Sequence, residues 1–407
     1  MRPDRHHHFL RTTTMPPRRQ RRKSKPRAIN PLEIAELLDL TLSFVHDIED
    51  LRACALVNTA WIAPSQSRIF STIRVMHGPG TNTEANAQVA RLLDILYDES
   101  PDLIRYIVNL DVGPLTFMKE KIQDDLCDLA FSHLTSLKVS SEPGWRYDMR
   151  EACLIQRLVS TPSLESVFIN CIFNGSLDLL LLWEQCTDRL KHVVVCSGVM
   201  FLRDALKSDF AERLNIKVPS SRIKLESFGT HDTPDVTGPW LDDFRCPFDV
   251  SAITAYQFCF PMDDFLENIL SEAMTNTIEL LSIRSYEMVY ATNISRFLKI
   301  TQLDIRGDLH GATYLDFLHT ILPENRPRIK AIRFRVFQEV DIPALDKLLF
   351  DAQNDFSGLK IVEILLSQEL PDLVQSARAG EYFKWMGPNI TLRWSASFFS
   401  LGLCAFD

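Results

Sequence analysis

The chain predicts an α/β protein in two parts, a small three-helix module near the N-terminus and an irregular α/β solenoid of strand–helix units behind it. Three observations predict this. Residues 30–75 hold three short stretches with apolar residues at helical spacing and capping residues between them. A hexad, apolar-x-x-apolar-x-apolar, then starts at Ile107 and recurs as far as Leu359. Stretches of helical periodicity separate successive hexads, as expected where strand and helix alternate.

The helical module opens at Asn30-Pro31-Leu32-Glu33. Asn caps, Pro suits the first helical position, and Glu can reach back to the cap amide. Ile34, Leu37, Leu38, Leu42 and Val45 form one helical stripe, while Leu32, Leu40 and Phe44 lie off it. This helix is therefore apolar on more than one side. Asp47 with Asp50 caps a second helix carrying Ile48, Leu51, Cys54, Ala55, Leu56 and Val57. Asn58 caps a third with Trp61 and Ile62, and Pro64 is expected to limit its length. Three short helices cannot bury this much apolar surface among themselves, so another surface must cover the excess.

The order Pro31-x-Glu33-Ile34, Leu38, Leu42, Asp50-Leu51-x-x-Cys54-x-Leu56-Val57-x-x-x-Trp61 and Arg68-Ile69-Phe70 resembles the F-box of fungal proteins. Asn30 and Asn58 stand where the family usually has Leu and Cys. The resemblance implies docking to the Skp-family adaptor of a cullin–RING ubiquitin ligase. Pro31, Leu32, Ile34, Leu38, Leu51, Val57 and Trp61 are the positions that carry the pattern. The alternative is an ordinary helical subdomain cemented to the larger domain behind it.

The hexads start at Ile107, Leu134, Leu164, Leu190, Leu225, Ile253, Ile278, Ile300, Ile329 and Leu359, spaced 27, 30, 26, 35, 28, 25, 22, 29 and 30 residues apart. Each ends in a strand whose alternate side chains point inward. Phe70-Ser-Thr-Ile73-Arg-Val75 reads as a first strand, and the unit at Leu225, with Phe228 and Thr230, fits the pattern least well. Helices are expected at 89–96, 122–131, 153–159, 177–183, 265–273 and 314–321. Units that cannot cover themselves must stack and share one core. The pattern resembles degenerate leucine-rich repeats over residues 76–407, with Asn170, Cys196 and Cys259 as partial echoes of the family's polar residue after the strand. An ordinary α/β domain with evenly spaced strands is the alternative.

In such an array the outward strand positions line a concave face. They include Gln257, Arg284, Asp304, Arg306, Arg333, Arg335 and Glu363. Arg284, Arg306 and Arg335 occupy one place in three units, with Arg333 a strand step away. Such a ladder suits an acidic or phosphorylated target, because Arg grips carboxylate and phosphate with two donors. The plainer reading is a solvated face that pairs with Asp304 and Glu363.

Composition sets the bounds. The chain has 407 residues, 46 % hydrophobic and 24 % charged, which suits a small domain plus a large one rather than a disordered chain. Net charge is −9, but residues 1–27 carry ten Lys/Arg and one Asp. The rest holds 34 basic and 52 acidic side chains, a balance of −18 that argues against nucleic acid as partner of the body. Residues 1–29 read as a disordered basic tail. Arg18-Arg-Gln-Arg-Arg-Lys-Ser-Lys-Pro-Arg27 resembles a nuclear-import signal, a solvated charged tail being the other reading, and His6, His7 and His8 read as incidental. The nine Cys form no Cys-x-x-Cys and have no zinc spacing, as expected of reduced thiols in cytoplasm or nucleus. No secretory leader or membrane-length apolar run is expected.

No phosphate loop, His-Glu-x-x-His or Gly-x-Ser-x-Gly occurs, and His133, His192, His231 and His310 each stand alone in sequence. The expectation is a protein that is not an enzyme and needs no cofactor. It would dock an adaptor, and through it a cullin, by residues 30–75, and hold an unnamed target protein by residues 76–407. A binding scaffold outside ubiquitin transfer is the alternative.

Overall fold

The computed structural model describes, in the main, residues 35–75, 82–113, 118–140, 149–171, 176–196, 218–231, 243–259, 276–284, 297–306, 326–336, 356–366 and 391–396. The chain divides into two compact units, Met1–Ser65 and Gln66–Asp407.

The smaller unit holds α1 (Ala35–Ser43), α2 (Ile48–Ala55) and the start of α3 (Thr59–Ile69). On α1 the buried residues are Leu38 and Leu42, one helical turn apart, and on α2 it is Leu51. The expected Asp47 cap is present: its Oδ1 accepts from the amides of Glu49 at 2.8 Å and Asp50 at 3.1 Å. Asn58 does the same for α3, accepting from the Ala60 amide at 3.2 Å. Pro64 does not end α3, which runs through it to Ile69. A proline removes one ladder hydrogen bond, and the helix resumes beyond it.

The larger unit is α/β and is dominated by one parallel sheet. Its strands, in chain order, are β1 (Thr72–Val75), β2 (Asn109–Val112), β3 (Ser136–Ser140), β4 (Ser166–Asn170), β5 (His192–Cys196), β6 (Ile223–Lys224), β7 (Ser227–His231), β8 (Phe248–Asp249), β9 (Ala255–Cys259), β10 (Leu280–Arg284), β11 (Gln302–Arg306), β12 (Ala331–Val336), β13 (Ile361–Leu366) and β14 (Thr391–Ala396). Twelve of them form a sheet in strict chain order, and β6 pairs with β8 in a separate small one. All described pairings are parallel, so each strand needs a crossover before the next. Four of those crossovers contain α4 (Asn82–Asp94), α5 (Glu120–Asp128), α6 (Met149–Val159) and α7 (Ser176–Trp183), matching expectation. The helices expected at 265–273 and 314–321 lie essentially outside the described residues.

The hexad explains this order. All ten first positions are buried, from Ile107 through Leu359. The ten second positions form a continuous buried row, Leu110, Leu137, Val167, Val193, Phe228, Tyr256, Leu281, Leu303, Ile332 and Val362. Register aligns these residues strand by strand, so each layer of the core continues into the next. The weakest unit by pattern still joins the sheet through β7. There Gly229 sits so close to its neighbours that an added Cβ would lie 3.1 Å from Val194 and 3.2 Å from Gln257. Trp183 and Phe248, both buried in the core, meet edge-on at 5.1 Å.

Candidate interaction surface

Exposed large apolar side chains concentrate in the small helical region. Of the twelve among the described residues, seven fall between Leu37 and Ile62: Leu37, Leu40, Phe44, Ile48, Leu56, Val57 and Ile62. The other five are spread over the far larger remainder. Leu37, Leu40 and Phe44, spaced three and four apart, form a stripe along α1 and just past its end. It is distinct from the buried pair Leu38 and Leu42, so α1 is apolar on two sides. At the turn between α2 and α3, Leu56 is 87 % and Val57 66 % exposed, while Phe44 is 75 % exposed. Fully burying such a side chain is worth about 1.5–3 kcal/mol, so several together are a strong incentive for association.

The positions singled out by sequence divide accordingly. Leu38 and Leu51 are buried; Val57 is exposed; Trp61 is half-buried. Pro31, Leu32 and Ile34 lie outside the described residues. Phe44 and Leu56 are the most exposed large apolar residues among those described; Leu56 belongs to the motif order, but neither was among the positions expected to dock the adaptor. Phe44 was legible as a residue off the α1 stripe, whereas Leu56, expected on the second helix, caps its end instead.

The second candidate surface is the outward face of the sheet. Its central row runs Arg74, Asp111, Lys138, Phe168, Val194, Gly229, Gln257, Ser282, Asp304, Arg333, Glu363 and Arg393 in register. Between Phe168 and Arg333 it is buried, not solvated as expected. This places Gln257, Ser282, Asp304 and Arg333 inside, as in parallel sheets covered on both faces. Two polar contacts lie along this stretch of the row. Ser282 Oγ donates to Asp304 Oδ2 at 3.3 Å, and Arg333 Nε donates to Glu363. Lys138 Nζ meets Asp111 Oδ2 at 3.0 Å near the other end. Arg333, expected on a solvent-facing row, is thus buried and ion-paired with Glu363, with side-chain exposures of 10 % and 13 %.

Arg284, Arg306 and Arg335 do align as three consecutive rungs, in the same register on β10, β11 and β12. Their side chains lie outside the described residues.

Some chemistry is visible only in the fold. His192, solitary in sequence, faces Ser227 across the β5–β7 pair, with Nδ1 2.9 Å from Oγ. Burial holds its pKa below the ordinary value. The thiols of Cys127, Cys186 and Cys246 are pushed up to about 12, chiefly by burial, which keeps them protonated and unreactive. Among the described residues no group of three or more His, Cys, Asp or Glu side chains is arranged to hold a metal, and no helix is long and apolar enough to cross a membrane.

No protein-family model matches the chain, and no curated protein shows significant similarity to it.

Proposed function

We propose that the chain is a substrate receptor of a cullin–RING ubiquitin ligase. Residues 30–75 act as an F-box that docks to a Skp-family adaptor. The parallel-sheet unit acts as an irregular leucine-rich-repeat-like solenoid that holds a target protein. On this reading the protein performs no bond chemistry and needs no cofactor. It raises the local concentration of a target at the ubiquitin-transfer site. It works in cytoplasm or nucleus.

The observation that carries the reading is the crowd of exposed apolar side chains on the short helices α1 to α3, in a segment whose motif order resembles the F-box. The strand order supports the second half, because twelve parallel strands laid down in chain order are what stacked repeats produce.

The test is capture of a purified Skp-family adaptor by the full chain, followed by addition of a cullin. Phe44→Asp and Leu56→Glu change exposed side chains, so the melting temperature should hold while adaptor capture falls at least about tenfold, the equivalent of ~1.4 kcal/mol. Equal capture by wild type and both variants would sink the docking role. Adaptor binding that never recruits a cullin would leave a scaffold outside ubiquitin transfer.

A further inference from the structure

A groove of about 450 Å³ opens at the edge of the sheet where β10 to β13 begin, lined by Glu279, Lys299, Thr301, Arg328, Lys330, Gly358 and Lys360. The backbone sets its geometry. Glu279, Thr301, Lys330 and Lys360 each immediately precede a strand. They are linked in sequence by backbone hydrogen bonds: Thr301 N to Glu279 O at 2.9 Å, Lys330 N to Thr301 O at 2.7 Å and Lys360 N to Lys330 O at 2.8 Å. They therefore form one row with steps of ~4.8 Å. Two residues upstream in each unit, Lys299, Arg328 and Gly358 make a parallel row, and Gly358 contributes no side chain to block it. Four cations thus face one carboxylate on a body that is otherwise strongly acidic.

Among the described residues little neutralises this charge locally. Earlier along the same edge, Lys191 stands between Glu165 at 3.8 Å and Glu226 at 3.6 Å, and the charges alternate. From β11 onward the alternation fails, and Lys330 and Lys360 are direct neighbours. Lys299, Lys330 and Lys360 make no ion pair with any described residue. Like charges on adjacent strands repel. A bound anion would relieve that repulsion.

We propose that this groove binds a carboxylate-rich segment of a partner polypeptide, whether or not the helical unit docks an adaptor. Four cations on two rows over three units, with a single carboxylate among them, complement the charge of a flexible acidic segment, whose side chains can each reach a lysine. Three of the four cations are lysines, and Nη1 of the single arginine, Arg328, already donates to the Leu298 carbonyl at 2.7 Å, so the groove offers point charges rather than a preformed phosphate cradle, and the test below separates a phosphopeptide from a carboxylate peptide. Nucleic acid fits poorly, because no aromatic side chain lines the groove to stack a base.

The test is fluorescence anisotropy of the full chain with a labelled peptide alternating Asp and Gly. Three controls are a phosphoserine peptide, a single-stranded oligonucleotide and a neutral peptide. The basic tail is identical in all variants, so differences report on the groove. Lys330→Glu/Lys360→Glu should weaken acidic-peptide binding at least about tenfold with unchanged melting temperature, and Lys330→Gln/Lys360→Gln should weaken it less. Equal binding by wild type and both double variants overturns the proposal. So does tighter groove-dependent binding of the phosphopeptide or oligonucleotide than of the acidic peptide.

Discussion

Arg333 on β12 and Glu363 on β13 are opposed in register and form an ion pair almost withdrawn from water. Removing one partner strands the other charge in a poorly solvated place. Glu363→Ala should therefore destabilise the sheet by about 3 kcal/mol, and Arg333→Ala by a similar amount. Replacing both with apolar residues, Arg333→Met with Glu363→Leu, should cost far less than the sum. Denaturant unfolding of the four proteins gives the coupling directly; strictly additive losses would mean that the pair is decorative.

His192 makes stability depend on pH in a predictable direction. Its folded pKa lies below the ordinary value because burial disfavours the charged ring. The unfolded chain therefore binds protons first, and unfolding free energy falls as pH drops below about 6.5. His192→Gln keeps a polar partner for Ser227 but cannot titrate. The stability of wild type relative to this variant should decline between about pH 7.5 and pH 5.5. A flat difference would contradict the assigned environment.

Gly229 is held by space, since an added methyl would press on Val194 and Gln257 at 3.1 and 3.2 Å. Gly229→Ala should lower stability by about 1–3 kcal/mol, the range for overpacking a filled interior. Thermal unfolding checks this, and an unchanged or raised midpoint would show that the neighbours yield freely.

Thiol reactivity should separate the cysteines sharply. Cys127, Cys186 and Cys246, with thiols pushed up to about 12 by burial, should resist alkylation in the native protein at neutral pH. Exposed Cys153 should react readily. Peptide mapping after brief labelling would reveal the pattern, and early modification of Cys186 or Cys246 would indicate that this region of the core opens.

Within the helical unit, stability and surface should part company. Leu42→Ala should cost about 2–5 kcal/mol, because Leu42 is fully buried. Leu40→Gln or Leu56→Gln should change stability by less than about 0.5 kcal/mol, since both side chains already face water. Comparable losses from all three would mean that the exposed stripe is structural after all.

How much of this could be read beforehand depends on distance along the chain. The hexads located the sheet because Leu137, Val167, Leu303 and Ile332 follow a local rule, period two within a strand. The Asp47 cap was legible for the same reason. Pro64 misled because a lone proline signals an ending, whereas α3 absorbs it. Arg333, Asp304 and Gln257 misled because polar residues at alternate positions read as solvated, and nothing local says that this face is covered. His192 with Ser227, and the row of Thr301, Lys330 and Lys360, come from segments about thirty residues apart. Such neighbours are fixed only by register, which no single stretch of sequence contains.

The strict chain order of the twelve strands has a consequence for synthesis. Each strand hydrogen-bonds only to the strands just before and just after it in the main sheet. A nascent polypeptide leaving the ribosome therefore never has to wait for a distant part of itself, and each new unit can seat on the one already formed. Every stage of that growth, however, presents the outer edge of its newest strand, which is a sticky template for neighbouring chains until the next strand pairs with it.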